Sequence, residues 1–187
     1  EMGHFETAEE FVAPLADSIR QHLDDDTHLL FSYHGLPVSH VKRIDRSKTH
    51  CQSVDDCCSV ECDANSLCYG HHCYKTTMAV VERLGLSPDR WSLSYQSRLG
   101  PVKWLEPSTT HMVEALVKKG VKKLAIVAPA FLADGLETLE ELNIGIREEF
   151  MEHGGEELMV INCLNDDQKW IEGLEQLIAK EFGALAA

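Results

Sequence analysis

Apolar positions along this chain recur at two spacings, and the switches between them outline a leading helix and then four strand–helix units. Thr7 to Glu10 has the form of a capping box, with Phe11, Val12, Leu15, Ile19 and Leu23 at helical spacing behind it. His28 to Tyr33 is a short apolar run that reads as a strand and delivers His34 at its end. A helix over about 75–84 stops at Gly85, and Pro88 marks the turn beyond. Trp91 to Ser97 alternates as a strand and runs into Arg98-Leu99-Gly100-Pro101. Ser108 is placed to cap a helix carrying Met112, Val113 and Leu116 that ends at Gly120. Leu124 to Pro129 is continuously apolar, the mark of a buried strand. A helix follows over 137–153, Leu158 to Ile161 forms the last strand, and Asp166 or Asp167 caps a final helix with Trp170, Leu174, Leu177 and Ile178.

This alternation predicts an α/β fold, a four-stranded parallel sheet flanked by helices and joined by right-handed crossovers, as in half of a flavodoxin- or Rossmann-like domain. From about Asp45 to Tyr74 neither period holds, so a cysteine-rich insertion over 46–74, after the first strand, is expected within a single domain of residues 1–187. A chain of 187 residues suits one well-buried domain. The net charge of −14 argues against nucleic acid as a partner. No apolar run approaches the ~20 residues that span a bilayer, and no secretory signal is visible, so a cytoplasmic protein is expected. The abrupt opening on a helix predicts that the chain is part of a longer protein.

Two segments place chemistry where strands end. His34 follows a strand and precedes Gly35 and Pro37, a tight turn at the edge where open α/β sheets gather ligands. Among ten histidines this one has the context of a site; packing alone is the competing reading. Asp134, Glu137, Glu140 and Glu141 open the helix after the third strand. Acids in a first turn favour the helix dipole whatever the function. Glu137 and Glu141, however, are like charges at i, i+4, a repulsion that a bound cation would remove. Trp104, in the loop after Tyr95-Gln96-Ser97-Arg98, could stack on a flat ligand or plug the core.

Six of the seven cysteines lie between Cys51 and Cys73, and only Cys163 is outside. An odd total without an export signal weighs against a disulfide framework and for a metal centre. Only Cys58/Cys62 has good zinc-knuckle spacing, with Cys68/Cys73 at the margin. Close, irregular spacing suits a [2Fe–2S] cluster with four thiolate ligands. Six cysteines leave the ligand set underdetermined; our choice is Cys51, Cys58, Cys68 and Cys73, with Cys57 and Cys62 as spares.

The motifs Phe31-Ser32-Tyr33-His34-Gly35-Leu36-Pro37, Gln96-Ser97-Arg98-Leu99-Gly100-Pro101 with Trp104-Leu105, Pro129-Ala130-Phe131 and Asp134-Gly135-Leu136-Glu137-Thr138-Leu139-Glu140-Glu141 run in one order, followed by Asn162-Cys163-Leu164-Asn165. Their combination resembles the carboxyl-terminal half of a bacterial ferrochelatase. The resemblance implies insertion of Fe²⁺ into a porphyrin in haem biosynthesis, protoporphyrin IX ahead of coproporphyrin III. It implies His34 and Glu137 as catalytic residues, a metal path of His34, Glu137, Glu141 and Asp134, and porphyrin contacts from Tyr33, Gln96, Ser97, Trp104 and Phe131. Its cysteine-rich insertion resembles the type that carries a [2Fe–2S] cluster. Position 135 is Gly where some relatives place His or Cys, which removes one ligand from the path. The resemblance also implies a missing amino-terminal half as partner, and leaves open a peripheral membrane contact and a homodimer. Alone, this half is expected to fold but to show little or no chelatase activity. The rival readings are a half-length sirohydrochlorin-type chelatase and a non-enzymatic iron–sulfur or zinc sensor on the same scaffold.

Overall fold

The computed structural model describes residues 3–185. Helix α1 spans Glu9–Arg20, strand β1 Thr27–His34, α2 Val38–Ile44 and α3 Tyr69–Leu84. Strand β2 spans Trp91–Gln96, α4 Thr109–Lys118 and β3 Lys123–Val127. A π-helical segment over Glu137–Ile146 runs straight into α5, Arg147–Glu152; β4 is Glu157–Val160 and α6 Gln168–Leu185.

The four strands form one parallel sheet in the order β2-β1-β3-β4. In register, His34 lies opposite Gln96, Leu29 opposite Ala125, and Ala125 opposite Met159. Alternation along β1 sorts its side chains between two cores. Leu29, Phe31 and Tyr33 pack with Phe11, Leu15 and Ile19 of α1, Val80 and Val81 of α3 and Trp170 of α6. Leu30 packs the other face with Val113 and Leu116 of α4, Leu142 and Ile146 of the π segment, and Phe150 of α5. With both faces covered, β1 is buried along nearly its whole length, which explains its continuously apolar sequence. The chain leaves β1 toward β2 on one side and returns to β3 on the other. The carboxyl ends of β1 and β3 therefore flank the topological switch point, where ligands bind in open α/β sheets.

Four elements differ from what the pattern predicts. The capping box does not form: α1 begins at Glu9 with Ala8 at its N-cap and no side-chain cap. Phe5 instead meets Phe11 edge-on at 5.5 Å and Trp170 at 6.3 Å, so aromatic packing sets the entry of the helix. The short α2 occupies a stretch that the pattern assigned to no element, because Val38 and Val41 have apolar surface to bury. Helix α3 starts at Tyr69, six residues ahead of the expected Lys75, so the irregular stretch ends at Cys68 and Cys73 lies on a helix. The helix after β3 is π-helical through Ile146 before it tightens into α5. Ser108 does cap α4, accepting a hydrogen bond from His111 N at 3.3 Å, and Asp167 accepts one from Trp170 N at 3.0 Å. Among the described residues, no helix is long and apolar enough to cross a membrane.

Candidate functional site

His34 ends β1 and is half-buried at the switch point. Its Nδ1 lies 2.7 Å from the carbonyl oxygen of Gly35, and a carbonyl only accepts, so Nδ1 carries the proton. Nε2 therefore keeps its lone pair for a proton or a metal ion. The turn behind it is tight. Gly35 N donates to Gln96 O at 2.7 Å, and a Cβ on Gly35 would lie 2.8 Å from that oxygen and 3.3 Å from Trp104. Only glycine lets β1 and β2 end this close together. From the opposite side, Tyr69 at the start of α3 donates its hydroxyl to His34 O at 2.8 Å.

The acidic helix is bolted to the ends of β1 and β2. The buried Gln96 amide accepts from Ser32 Oγ at 2.7 Å and donates to the main-chain oxygen of Glu137 at 3.1 Å. Ser32 and His34 share a parity on β1, so His34 faces the side of the sheet on which Gln96 meets the start of the π segment. Glu141 is held by Ser97, whose N–H donates to Oε1 at 2.7 Å and whose hydroxyl donates to Oε2 at 2.5 Å. Ser97 adopts a φ of 62°, a left-handed conformation costly for a non-glycine residue, and these two bonds compensate for it. The i, i+4 repulsion between Glu137 and Glu141 is thus eased by the protein itself. Asp134 accepts from Asn165 Nδ2 at 2.7 Å, Thr138 Oγ1 at 2.9 Å and Cys163 N at 3.2 Å. Burial opposes its charge, but the bonds from Asn165, Cys163 and Thr138 hold its carboxyl below the usual range. The same carboxylate, with burial, pushes the Cys163 thiol up to about 12.

The expected aromatic contacts divide. Phe131 is half-buried, with its ring centroid 6.2 Å from that of His34, and it can flank a flat ligand there. Trp104 is 9% exposed and packs behind Gly35, where it backs the His34 turn. Tyr33 is buried on the α3 side, its hydroxyl 2.8 Å from Thr77 Oγ1, and burial pushes its phenol well up. Gln96 is spent as the bridge described above, and Ser97 as the partner of Glu141. Asn165, Ser32 and Tyr69 are positioning residues that the sequence pattern did not reveal, because their partners lie far away along the chain.

All seven cysteines are free thiols. Two polar hubs order the loop that carries most of them. The buried carboxylate of Asp45 accepts from the main-chain N–H groups of Ser47, Lys48, His50 and Cys51 and from Ser47 Oγ, which holds its carboxyl far below the usual range. Asn65 accepts from Cys62 N at 3.0 Å and donates to Val60 O at 2.6 Å and Cys57 O at 3.0 Å. Burial together with the nearby Cys68 and Cys57 pushes Cys51 up to about 11, and Cys58 sits against both Cys68 and Cys57. Gly70 makes room for them, since a Cβ there would lie 3.1 Å from Cys58 Sγ and 3.9 Å from Cys68 Sγ. Cys68, at the N-cap of α3, is the thiol of this set whose charged form is favoured: the Cys58 thiol beside it lowers it against its burial, with help from the amides of His71 and Gly70. Cys73 lies on α3 beside Tyr69, in one buried cluster with Cys51 and Cys68, and burial pushes it well up; Cys62 pairs with His50, Sγ to Nε2 3.7 Å. Sulfur is the donor type that thiolate-ligated iron–sulfur and zinc centres use, but among the described residues no three of these sulfurs lie within 4.8 Å of one another.

Fold and site together define a parallel α/β protein with an imidazole lone pair, an acidic helix and an aromatic ring gathered at one switch point. The chain belongs to the ferrochelatase family, whose model matches residues 1–182. It is 42% identical over 170 residues to a ferrochelatase of Bdellovibrio bacteriovorus, covering 90% of this chain and 50% of that protein. A Pseudomonas fluorescens ferrochelatase is 44% identical over 170 residues, with the same coverage. The chain thus spans about half the length of the curated relatives it matches. A CbiX protein of known structure from Marinobacter aquaeolei VT8 is 15% identical, covers 84% of this chain and 98% of its own, and overlays at a TM-score of 0.47, too loose a likeness to carry weight.

Proposed function

We propose that this chain is the carboxyl-terminal half of a ferrochelatase, inserting Fe²⁺ into a porphyrin, with protoporphyrin IX preferred over coproporphyrin III, in cytoplasmic haem biosynthesis. The observation that carries the reading is the family match over residues 1–182 together with a His34 whose Nε2 lone pair is free at the switch point. Metalation exchanges two pyrrole protons for one iron. His34 Nε2 accepts a proton or hands on the metal, and the Glu137 carboxylate meets the incoming cation. Glu141 and Asp134 already accept protein hydrogen bonds, so they shape the acidic path and Glu137 is its free end. Phe131 lines the macrocycle, and Trp104 stiffens the turn beneath it. The amino-terminal half supplies the opposite wall, which presses the ring out of plane and exposes its nitrogen lone pairs. The exposed apolar side chains of Leu99, Val102, Leu136 and Leu139 rim this side of the sheet and suit that half, a membrane surface or a second copy.

The segment over 46–74 is proposed to hold a [2Fe–2S] cluster on Cys51, Cys58, Cys68 and Cys73, with Cys57 and Cys62 as spares; Cys51, Cys68 and Cys73 are buried in one cluster and Cys58 sits against Cys68. When bound, the cluster ties the loop to the start of α3.

The test uses the full-length protein, with anaerobic Fe²⁺ and loss of porphyrin fluorescence as the readout. His34→Ala and Glu137→Gln are each expected to slow insertion by about 100-fold or more. Undiminished insertion by His34→Ala overturns the assignment. Turnover of sirohydrochlorin alone favours the half-length chelatase reading, and absence of porphyrin binding favours a sensor. The 187-residue chain alone is expected to fold and to insert little or no iron.

A further inference from the structure

We infer that His4, Glu6 and His72 form a site for one divalent transition-metal ion, separate in its residues from the rim around His34. One ligand atom from each side chain lies within 4.8 Å of the other two. The His4 and His72 rings meet edge to face with centroids 4.6 Å apart, which sets the two imidazoles side by side. Two imidazoles and a carboxylate are the donor set that borderline ions such as Zn²⁺ and Fe²⁺ take, with water completing the shell. Tetrahedral bonding brings such ligand atoms to ~3.4 Å from one another, a closure that the exposed His4 ring can make by rotation.

Three further features suit a metal. His72 Nε2 donates to Ser66 O at 2.8 Å, which places the ring proton on Nε2 and leaves Nδ1 unprotonated; metal-bound histidines are regularly oriented this way. Thr76 Oγ1 donates to Glu6 O at 3.0 Å, so the segment before α1 is already pinned to α3 and little ordering remains to oppose binding. The three ligands line an open, largely apolar hollow of about 280 Å³ whose walls also include Phe5, Tyr33, Tyr69 and Pro129, which leaves room for the waters that complete the shell. One cation competes. Lys75 Nζ is 3.6 Å from Glu6 Oε1, but Glu61 Oε1, at 3.9 Å, can receive it once the ion takes Glu6. Bound metal would thus clip the segment before α1 to the helix that starts at Cys68.

The probe is Co²⁺, titrated anaerobically into the chain with its cysteines intact and followed by absorption. A nitrogen–oxygen site gives d–d bands without the sulfur-to-metal charge transfer that marks thiolate ligation. We expect the wild-type chain to bind one Co²⁺ of the nitrogen–oxygen kind. His4→Ala, at an exposed position that leaves folding intact, and His72→Gln should each weaken it tenfold or more. Lys75→Gln should tighten it severalfold by removing the competitor. Equal affinity in wild type and His4→Ala overturns the inference, as does a titration showing thiolate-type bands alone. Haem-forming activity is not read, so failure here leaves the ferrochelatase reading untouched.

Discussion

The hydroxyl of Tyr69 donates a 2.8 Å hydrogen bond to the main-chain oxygen of His34. Tyr69 directly follows Cys68, so one residue links the cysteine-bearing loop to the histidine at the end of β1. Replacing it with Phe removes a partner from a partly buried carbonyl without changing the packing. The expected cost is about 1 kcal/mol in urea unfolding. The His34 ring resonances should shift as the turn relaxes, and unmoved resonances would show the link to be idle.

Gly35→Ala tests the close approach of β1 and β2. The added methyl would sit 2.8 Å from Gln96 O, which is main chain and cannot swing away. We expect destabilisation of about 1–3 kcal/mol, read as a lowered urea midpoint with the slope unchanged. On the proposed function, porphyrin affinity of the full-length protein should fall as well, since Trp104 and His34 flank the same turn.

The proposed ligand set predicts an asymmetry among the cysteines. Cys73→Ser should abolish the visible charge-transfer bands of the as-isolated protein, and Cys57→Ser should keep them. The opposite result would bring Cys57 into the ligand set in place of Cys73. Stoichiometric zinc with no visible bands in the unmutated protein would replace the iron–sulfur assignment with a zinc one.

His28 predicts a pH dependence. Burial pushes its imidazole down to about 4, and Arg90 and Lys119 act in the same direction against a hydrogen bond donated to the Asp89 backbone carbonyl. The unfolded chain therefore takes up this proton first as pH falls from about 6.5 toward 4. Stability tied to the neutral ring is complete above pH 6.5 and is lost as pH falls through that window. Allowing for solvent screening, the loss is about 2 kcal/mol. His28→Gln should flatten this part of the stability profile relative to wild type in urea titrations.

The repeating hydrophobic pattern was enough for the sheet, because a strand covered on both faces must be apolar throughout. Leu124–Val127 and Leu29–Tyr33 announce themselves in this way. The start of α3 was not legible. Tyr69, Gly70, His71, His72 and Cys73 carry no helical apolar period, and they become helical because Tyr69 reaches His34 and Thr76 reaches Glu6. The capping box at Thr7 failed for a related reason: packing of Phe5 on Phe11 and Trp170, a contact with the far end of the chain, sets where α1 begins.

By itself the sequence determined the parallel α/β class, the placing of His34 and the acidic helix at strand ends, and membership of a chelatase lineage, since each depends on local period or short motif. Tertiary structure alone decided which polar groups remain free for chemistry. Glu141, Asp134 and Gln96 look as available as Glu137 in one dimension, yet Ser97, Asn165 and Ser32 engage them across gaps of tens of residues. A hydrogen bond depends on distance in space, and sequence spacing carries no record of it.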